Sequence, residues 1–517
     1  YLFMQDFSNN DRDVFLIKTE KMIDRGALMS RYSRTVNLDI RSVYEKEFKN
    51  NPEKAIDFYK KIFLDYGDES ISELITAQMG IQNVSNILSK IIEESRIGLS
   101  YLEKSSRYVK YNKKVNGHYL FLDADGAGIK KYENEYNELC NELFDFYSKS
   151  YDDMIKIYSE MYPIEKFNFE IGGKVYNYSE IKNIDDDSVT KAYKSSLRSS
   201  VLDEIRLVLP ASTLTNIGVS GNGRAFIALI ERLGEYKTKE SLKYADLIYN
   251  ELKNEMPEII DDATSKHGIE QIEYNMSRDL IGYREQQNFG SINTVSLLDY
   301  EDEENAINKA LKLMVYRYYG DYNSIDLTKE EKERLLNNLI SIRKNRRHKI
   351  GRPFEAINYL FQVNTNYGAF RELQRHRFMS IVRKPLSVYY GYDIPETINK
   401  TEDLKNDYVT LMEKARNLYL DIKEKNGPDL AQYIVPYAYR YPVAFNINLN
   451  ELTYFIELRS NAQVHPDLRT VALKMYNEVK SVHPQLSRLI KFVDESDYKL
   501  GRLPAEFKKE TKKKEIQ

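Results

Sequence analysis

The sequence contains no tryptophan and a single cysteine, Cys140, among its 517 residues. One cysteine excludes a disulfide framework and a cysteine metal cluster within the chain, and we expect Cys140 to be a buried thiol. The sequence has no run of about 18 apolar residues, so it predicts no transmembrane helix. It also shows no signal peptide, and we therefore expect a cytoplasmic protein without a membrane partner.

The net charge is small as well, at -3, and it gives the chain no bulk attraction for nucleic acid. Hydrophobic residues make up 42% and charged residues 30% of the sequence, which is typical of a soluble globular protein with ample core. The length is sufficient for about two to four domains.

The most informative stretch has Arg375-His376-Arg377 at its centre. The apolar residues before it, among them Tyr359, Phe361 and Phe370, predict a buried helix that ends at this motif. Buried charges are costly without partners, so the motif requires an anion. A phosphate or a diphosphate suits two guanidinium groups and an imidazole, and the alternative is pairing with carboxylates at a subunit interface.

The chain also contains a repeat. The segments 222–232 and 448–460 both begin with asparagine, continue as an apolar helix face and reach an arginine. Further upstream, 93–109 and 374–390 are both rich in serine and arginine. Two similar halves in the same order indicate duplication of one ancestral unit. We predict domains at 1–270 and 271–510, followed by a frayed basic tail at 511–517.

Taken together, these motifs resemble the flavin-dependent thymidylate synthase (ThyX) family, in a divergent double-length form. The hallmark of that family is Arg-His-Arg, a spacer, and then Ser-x-Arg-Tyr. The second half of this chain keeps the first part of the hallmark, and the first half keeps the last part from Ser105 to Tyr108. Glu94-Ser95-Arg96 stands where the first half should have Arg-His-Arg, and the segment after Ser387 lacks the arginine.

The resemblance implies an α+β fold of two tandem ThyX-like domains, with long helices packed on small sheets. It implies reductive methylation of dUMP, or of a related pyrimidine nucleotide, with methylenetetrahydrofolate, FAD and NADPH. The residues that would hold FAD are Arg375, His376, Arg377, Asn448, Asn222 and Arg224. Those that would bind the nucleotide are Arg96, Ser105, Arg107, Ser387, Gln463 and Arg469, and those that would face the reacting pyrimidine are Arg459 and Arg232.

The losses in the two halves are complementary. The first half keeps the nucleotide end of the hallmark, and the second half keeps the flavin end. This pattern predicts composite sites between unlike halves, in a homodimer that forms a pseudo-tetramer.

Simpler roles remain open for several of these residues. Ser105 and Arg107 could form a capping pair, and Asn448 could cap the helix that follows it. The basic run 344–349 could meet an anionic ligand or RNA, or it could be a solvated face. No second histidine lies at ligand spacing from His465, so we predict no metal site.

Three classes of function are therefore compatible with the sequence. The first is a ThyX-like enzyme. The second is a nucleotide-binding or regulatory protein that kept the fold and lost catalysis. The third is a flavin-dependent enzyme that modifies nucleic-acid bases, against which the net charge of -3 counts.

Overall fold

The computed structural model describes residues 6–33, 39–49, 51–60, 69–95, 97–282 and 292–516. As the sequence predicts, the fold is α+β and rich in helix, with small antiparallel sheets. Within these ranges, no helix combines the length and the apolar character needed to cross a membrane.

The elements before residue 283 include one small sheet and one hairpin. In chain order they are α1 (Met22–Tyr32), α2 (Ile40–Glu47), α3 (Pro52–Lys60), β1 (Thr76–Ser85), α4 (Asn86–Glu94), β2 (Leu99–Glu103), α5 (Glu133–Met161), β3 (Asn168–Ile171), β4 (Lys174–Asn177), α6 (Tyr178–Ile205), β5 (Leu214–Asn222), α7 (Gly223–Tyr236), α8 (Lys239–Lys253), α9 (Pro257–Ile260) and α10 (Lys266–Ile281).

The elements after residue 291 include a second sheet. They are β6 (Val295–Tyr300), α11 (Glu303–Tyr319), α12 (Lys329–Ile342), β7 (Asn358–Asn366), α13 (Tyr367–Leu373), β8 (Ser380–Val382), α14 (Glu396–Asn399), α15 (Glu402–Asn426), α16 (Pro428–Ala431), β9 (Arg440–Asn448), α17 (Leu449–Arg459), α18 (Pro466–Val482) and α19 (Leu503–Ile516).

The chain forms two compact units, neither of which is continuous in sequence. Unit 1 comprises Tyr1–Lys104, Leu122–Lys131 and Leu214–Gln287. Unit 2 comprises Ser105–Phe121, Tyr132–Thr213 and Asn288–Gln517, so that it includes residues from the first half of the chain. The domain boundary that we predict at residue 270 separates the two duplicated halves of the sequence, whereas the two units are defined by compactness. The boundary stays a prediction.

Unit 1 is built on an antiparallel sheet with the strand order β1-β5-β2. Side chains along β5 alternate between buried and exposed, and Thr215, Ile217 and Val219 are buried. This period of two is the period of a strand with one face on a core. The strand passes directly into α7, where Asn222 caps the helix by accepting a hydrogen bond of 2.9 Å from the N–H of Ala225.

Unit 2 contains an antiparallel sheet with the order β6-β7-β9-β8. Its last three strands have the same order as the sheet of unit 1, as expected for a duplicated unit. The last residue of β9, Asn448, caps α17 by accepting a 2.9 Å hydrogen bond from the N–H of Glu451, as Asn222 does in α7. Both asparagines therefore cap a helix, a role that we considered from the sequence for Asn448 alone.

The helix predicted before Arg375 is mostly a strand. Tyr359, Phe361 and Val363 lie in β7 and are fully buried, and only 367–373 are helical. A short apolar run does not distinguish a buried strand from a buried helix, which explains this difference. In the C-terminal tail, α19 continues to Ile516. The fraying that we expect of this tail stays a prediction.

The substitution Asn366→Ala tests the junction between β7 and α13. Asn366 caps α13 through the N–H of Ala369, and its Nδ2 donates to the carboxylates of Asp393 at 2.9 Å and Asp467 at 2.6 Å. We expect a loss of about 2–4 kcal/mol of unfolding free energy, measured by urea denaturation. The exposed Asn305→Ala is the control, and an equal, small effect in both variants would contradict this role.

Candidate functional site

The Arg375-His376-Arg377 motif forms a turn directly after α13. The side chains of Arg375 and Arg377 are exposed, whereas His376 is 5% exposed. The cost of burying a charge therefore applies to His376 alone, because the two guanidinium groups of the motif lie at the surface.

His376 is held as a neutral imidazole. Its Nε2 lies 2.8 Å from Nε of Arg459, and because a guanidinium only donates hydrogen bonds, this histidine nitrogen is the acceptor. Its Nδ1 donates to Oε1 of Glu451 at 3.2 Å. Burial lowers the pKa of His376, and the charge of Arg459 lowers it further, against the hydrogen bond to Glu451.

Helix α17 also positions a basic loop beside this motif. The ring of Tyr454 lies 6.0 Å from the ring of His376, and Nζ of Lys349 lies 3.5 Å from the Tyr454 ring centroid. The buried Arg343 fixes the start of the loop, because it binds both carboxylate oxygens of Glu457 at 2.8 Å. The side chains of 344–349 are exposed, so that the loop adds positive charge to the same surface.

Arg107 lies in a buried network of ion pairs within unit 2. It binds both carboxylate oxygens of Asp203 at 2.8 Å, and its Nη1 lies 3.2 Å from Glu372. Arg206 binds the other oxygen of Glu372 at 3.2 Å, and Arg502 binds Asp203 at 3.1 Å. First-half residues thus contact α13, the helix that precedes the Arg-His-Arg turn.

The carboxyl groups of this network are ionised at neutral pH. Burial alone would raise the pKa of Glu372, but Arg107 and Arg206 outweigh it and lower that pKa to about 2. Arg107 likewise outweighs burial at Asp203 and holds its pKa well below the ordinary range. Arg107 is therefore neutralised by carboxylates, and the nucleotide phosphate role implied for it stays a prediction.

Two of the other predicted nucleotide-binding residues, Ser105 and Gln463, contact Arg107. Ser105 accepts a 3.3 Å hydrogen bond from the N–H of Arg107, but residues 105–109 form a turn rather than a helix start. The carbonyl of Gln463 accepts a 3.4 Å hydrogen bond from Arg107. Ser387 is buried in unit 2.

Unit 1 holds two of the predicted arginines in ion pairs. Nη1 of Arg232 lies 3.1 Å from Glu94, and Arg224 lies 2.8 Å from Glu73. Arg96, which was also predicted to bind the nucleotide, lies outside the described residues. Arg224 and Arg232 line one cavity of about 410 Å³ in unit 1, together with the acidic residues Glu231 and Glu235. The roles predicted for these two arginines at a ligand stay predictions.

A cavity of about 650 Å³ borders the network in unit 2 and is lined by Asp203, Arg502 and Arg469, among others. Arg469 donates to the backbone carbonyls of Ser460 and Asp494 at 2.7 Å each. Burial raises the pKa of Glu204, which also lines the cavity, to about 7, against hydrogen bonds from Thr397 that lower it. Arg469 thus anchors neighbouring backbone at the edge of a cavity.

Sequence reasoning missed the acidic partners of the site. Glu372 lies three residues before Arg375, and Glu451 lies three residues after Asn448, so that helical spacing from the motifs could have found both. Asp203 carries no such signal, because only the fold brings it to Arg107.

Comparisons with known proteins find one family. The family model described as thymidylate synthase complementing protein matches residues 21–258 and 296–485, in tandem. A UPF0159 protein of Thermoplasma acidophilum is 54% identical over 497 residues, which cover 95% of this chain and 99% of the relative. A flavin-dependent thymidylate synthase of Saccharolobus solfataricus is 29% identical over 202 residues, which cover 37% of this chain and 75% of the relative.

Among solved structures, a UMP/dUMP methylase of Streptomyces cacaoi bound with 5-Br dUMP covers 39% of this chain and 96% of its own. The sequence identity is 20% and the TM-score is 0.32. This likeness is too weak to identify a fold or a function.

The substitution Asp203→Ala tests the buried network. Removal of this carboxylate leaves Arg107 and Arg502 buried without their shared acceptor, and breaking a buried pair costs about 3–5 kcal/mol. We expect a loss of this size in urea denaturation. Asp186→Ala, an exposed position on the same helix, is the control. A loss no larger than that of the control would contradict the network.

The same carboxyls predict destabilisation in acid. Their pKa values are lower in the folded protein than the ordinary values of about 4, so their stabilising effect is full above about pH 5. This effect is lost as the pH falls from there towards about 2, the folded pKa of Glu372. We expect the melting temperature to fall between about pH 5 and pH 2, and to fall less in Arg107→Met. An equal pH dependence in both proteins would contradict the assignment.

Proposed function

Because the chain belongs to the family of the thymidylate synthase complementing proteins, we propose that it is a flavin-dependent enzyme that methylates dUMP or a related pyrimidine nucleotide. Methylenetetrahydrofolate would be the carbon donor and NADPH the reductant. The matches in two tandem regions and the similarity to a flavin-dependent thymidylate synthase support the proposal.

The observation that carries the proposal is the geometry of the Arg375-His376-Arg377 turn. A diphosphate has adjacent anionic oxygens, which planar guanidinium groups bind with paired hydrogen bonds. The two arginines are exposed, and the imidazole between them is fixed by Arg459 and Glu451. These residues therefore fit the diphosphate of FAD. When bound, the flavin supplies the hydride chemistry.

Arg459 is the residue that we propose to face the pyrimidine. Burial lowers its pKa, and the charges of Arg375 and Arg107 lower it further, against the opposite effect of Glu372. These effects indicate a concentration of positive charge around Arg459. Fixed positive charge of this kind stabilises a pyrimidine ring that becomes negative as it becomes nucleophilic.

The composition of unit 2 supports a site made from both sequence halves. The first-half Arg107 pairs with Glu372, three residues before the second-half motif. We propose that each site combines the nucleotide end of the first half with the flavin end of the second half. The homodimer, the pseudo-tetramer and the cytoplasmic location stay predictions.

A second candidate function is nucleotide binding without catalysis. The observation that favours it is the neutralisation of Arg107 by Asp203 and Glu372, because the family resemblance implies a phosphate at that arginine. Binding of FAD and dUMP without formation of a methylated nucleotide, when methylenetetrahydrofolate and NADPH are supplied, would favour this alternative.

The visible absorption spectrum tests the proposed function. We expect the purified protein to contain or take up FAD, with a spectrum that shifts when dUMP is added. The double variant Arg375→Ala with Arg377→Ala should bind FAD at least about tenfold more weakly, because each charge-assisted pair that is lost removes more than 1 kcal/mol.

Arg334→Ala is the matched control, since this exposed arginine lies on α12 away from the motif in sequence. It should bind FAD like the unaltered protein. A colourless protein that takes up no added FAD would refute the flavin-dependent function.

A further inference from the structure

The repeated scaffold occurs once in each unit, as β1-α4-β2 (the first copy) and as β7-α13-β8 (the second copy). In both copies the last residue of the strand caps the helix, through Ser85 at 3.0 Å and Asn366 at 2.9 Å. A carboxylate from a later helix binds each cap, Glu240 at 2.7 Å in the first copy and Asp467 at 2.6 Å in the second. Positions in the two copies can therefore be matched by counting from the cap.

At two of the matched positions, the two copies carry opposite charges. Nine residues after the cap, the first copy has Glu94 and the second has Arg375. In the first sheet Glu103 pairs with Ile217, five residues before the last residue of β5. In the second sheet Val382 pairs with Ala444. The next residue, Arg383, continues this register to Val443, which is likewise five residues before the last residue of β9. Two carboxylates thus replace two arginines on the same scaffold.

The carboxylates of the first copy neutralise its cations. Glu94 accepts a hydrogen bond of 3.1 Å from Arg232 and one of 3.3 Å from the hydroxyl of Tyr236. The fully buried Lys90 lies 3.0 Å from Glu103 and also contacts Glu93. In the second copy Arg459, which corresponds to Arg232, contacts the neutral His376, and that contact does not offset the charge of the arginine.

We propose that the first copy is closed to anionic ligands by its own carboxylates, so that each chain binds one flavin, at the second copy. The inference rests on the proposed function for the identity of the ligand. A diphosphate at the first copy would lie beside Glu94 and would have to compete with it for Arg232. The negative charges of Glu94 and of the diphosphate would repel each other, and this repulsion would disfavour binding at the first copy.

Calorimetric titration of the whole protein with inorganic pyrophosphate tests the inference without flavin. We expect one binding event per chain, and none in the double variant Arg375→Ala with Arg377→Ala. Two events in the unaltered protein, or one remaining event in the double variant, would overturn the inference. No binding in the unaltered protein would refute the proposed flavin site, while it would agree with a closed first copy.

The variant Glu94→Arg introduces into the first copy the arginine that the second copy has at the matched position, Arg375. We expect this variant to bind a second pyrophosphate per chain. Its affinity at the first copy should be at least tenfold higher than that of any binding by the first copy of the unaltered protein. Asp125→Arg is the matched control, because it removes an exposed carboxylate that pairs with Lys239 at 2.6 Å in the same unit. If Glu94→Arg does not fold, as judged by circular dichroism, Glu94→Gln replaces it. A folded variant without a second event would overturn the role of Glu94.

Discussion

Unit 2 depends on the pairing of Glu372 with two arginines from the first half of the chain. Each oxygen of this carboxylate accepts one bond of 3.2 Å, from Arg107 or from Arg206. A buried carboxylate without these partners would be costly, so the position of α13 is tied to residues that are distant in sequence. The Arg-His-Arg turn begins three residues after Glu372, and the network therefore fixes the surface on which the proposed flavin site lies.

The second constraint is the charge state of His376. Held between Arg459 and Glu451, it stays neutral and does not offset the positive charge of Arg459. In the first copy, Arg232 instead forms an ion pair with Glu94, which matches Arg375 of the second copy. The two copies of the scaffold therefore differ in charge through a few substitutions at matched positions. The second copy is suited to anions, whereas the carboxylates of the first copy neutralise its own cations.

The sequence was sufficient to predict the helix-rich α+β class, the family and the duplication, because motif order and asparagine-led helices are local patterns. It was not sufficient for β7, since the apolar run around Phe361 satisfies a buried strand and a buried helix equally well. Nor did it predict that Arg107 would face Glu372, from which it is separated by 265 positions. Ion-pair partners at that separation follow from the fold and leave no periodic signal.

A double-mutant cycle between Arg107 and Glu372 tests the central claim most directly. The unfolding free energies of Arg107→Met, Glu372→Gln and the double variant would be measured by urea denaturation. If the pair joins the two sequence halves, the single substitutions should be coupled by about 2 kcal/mol or more, because each leaves a buried charge unpaired. Effects that add within about 0.5 kcal/mol would contradict the account, since independent sites behave in that way.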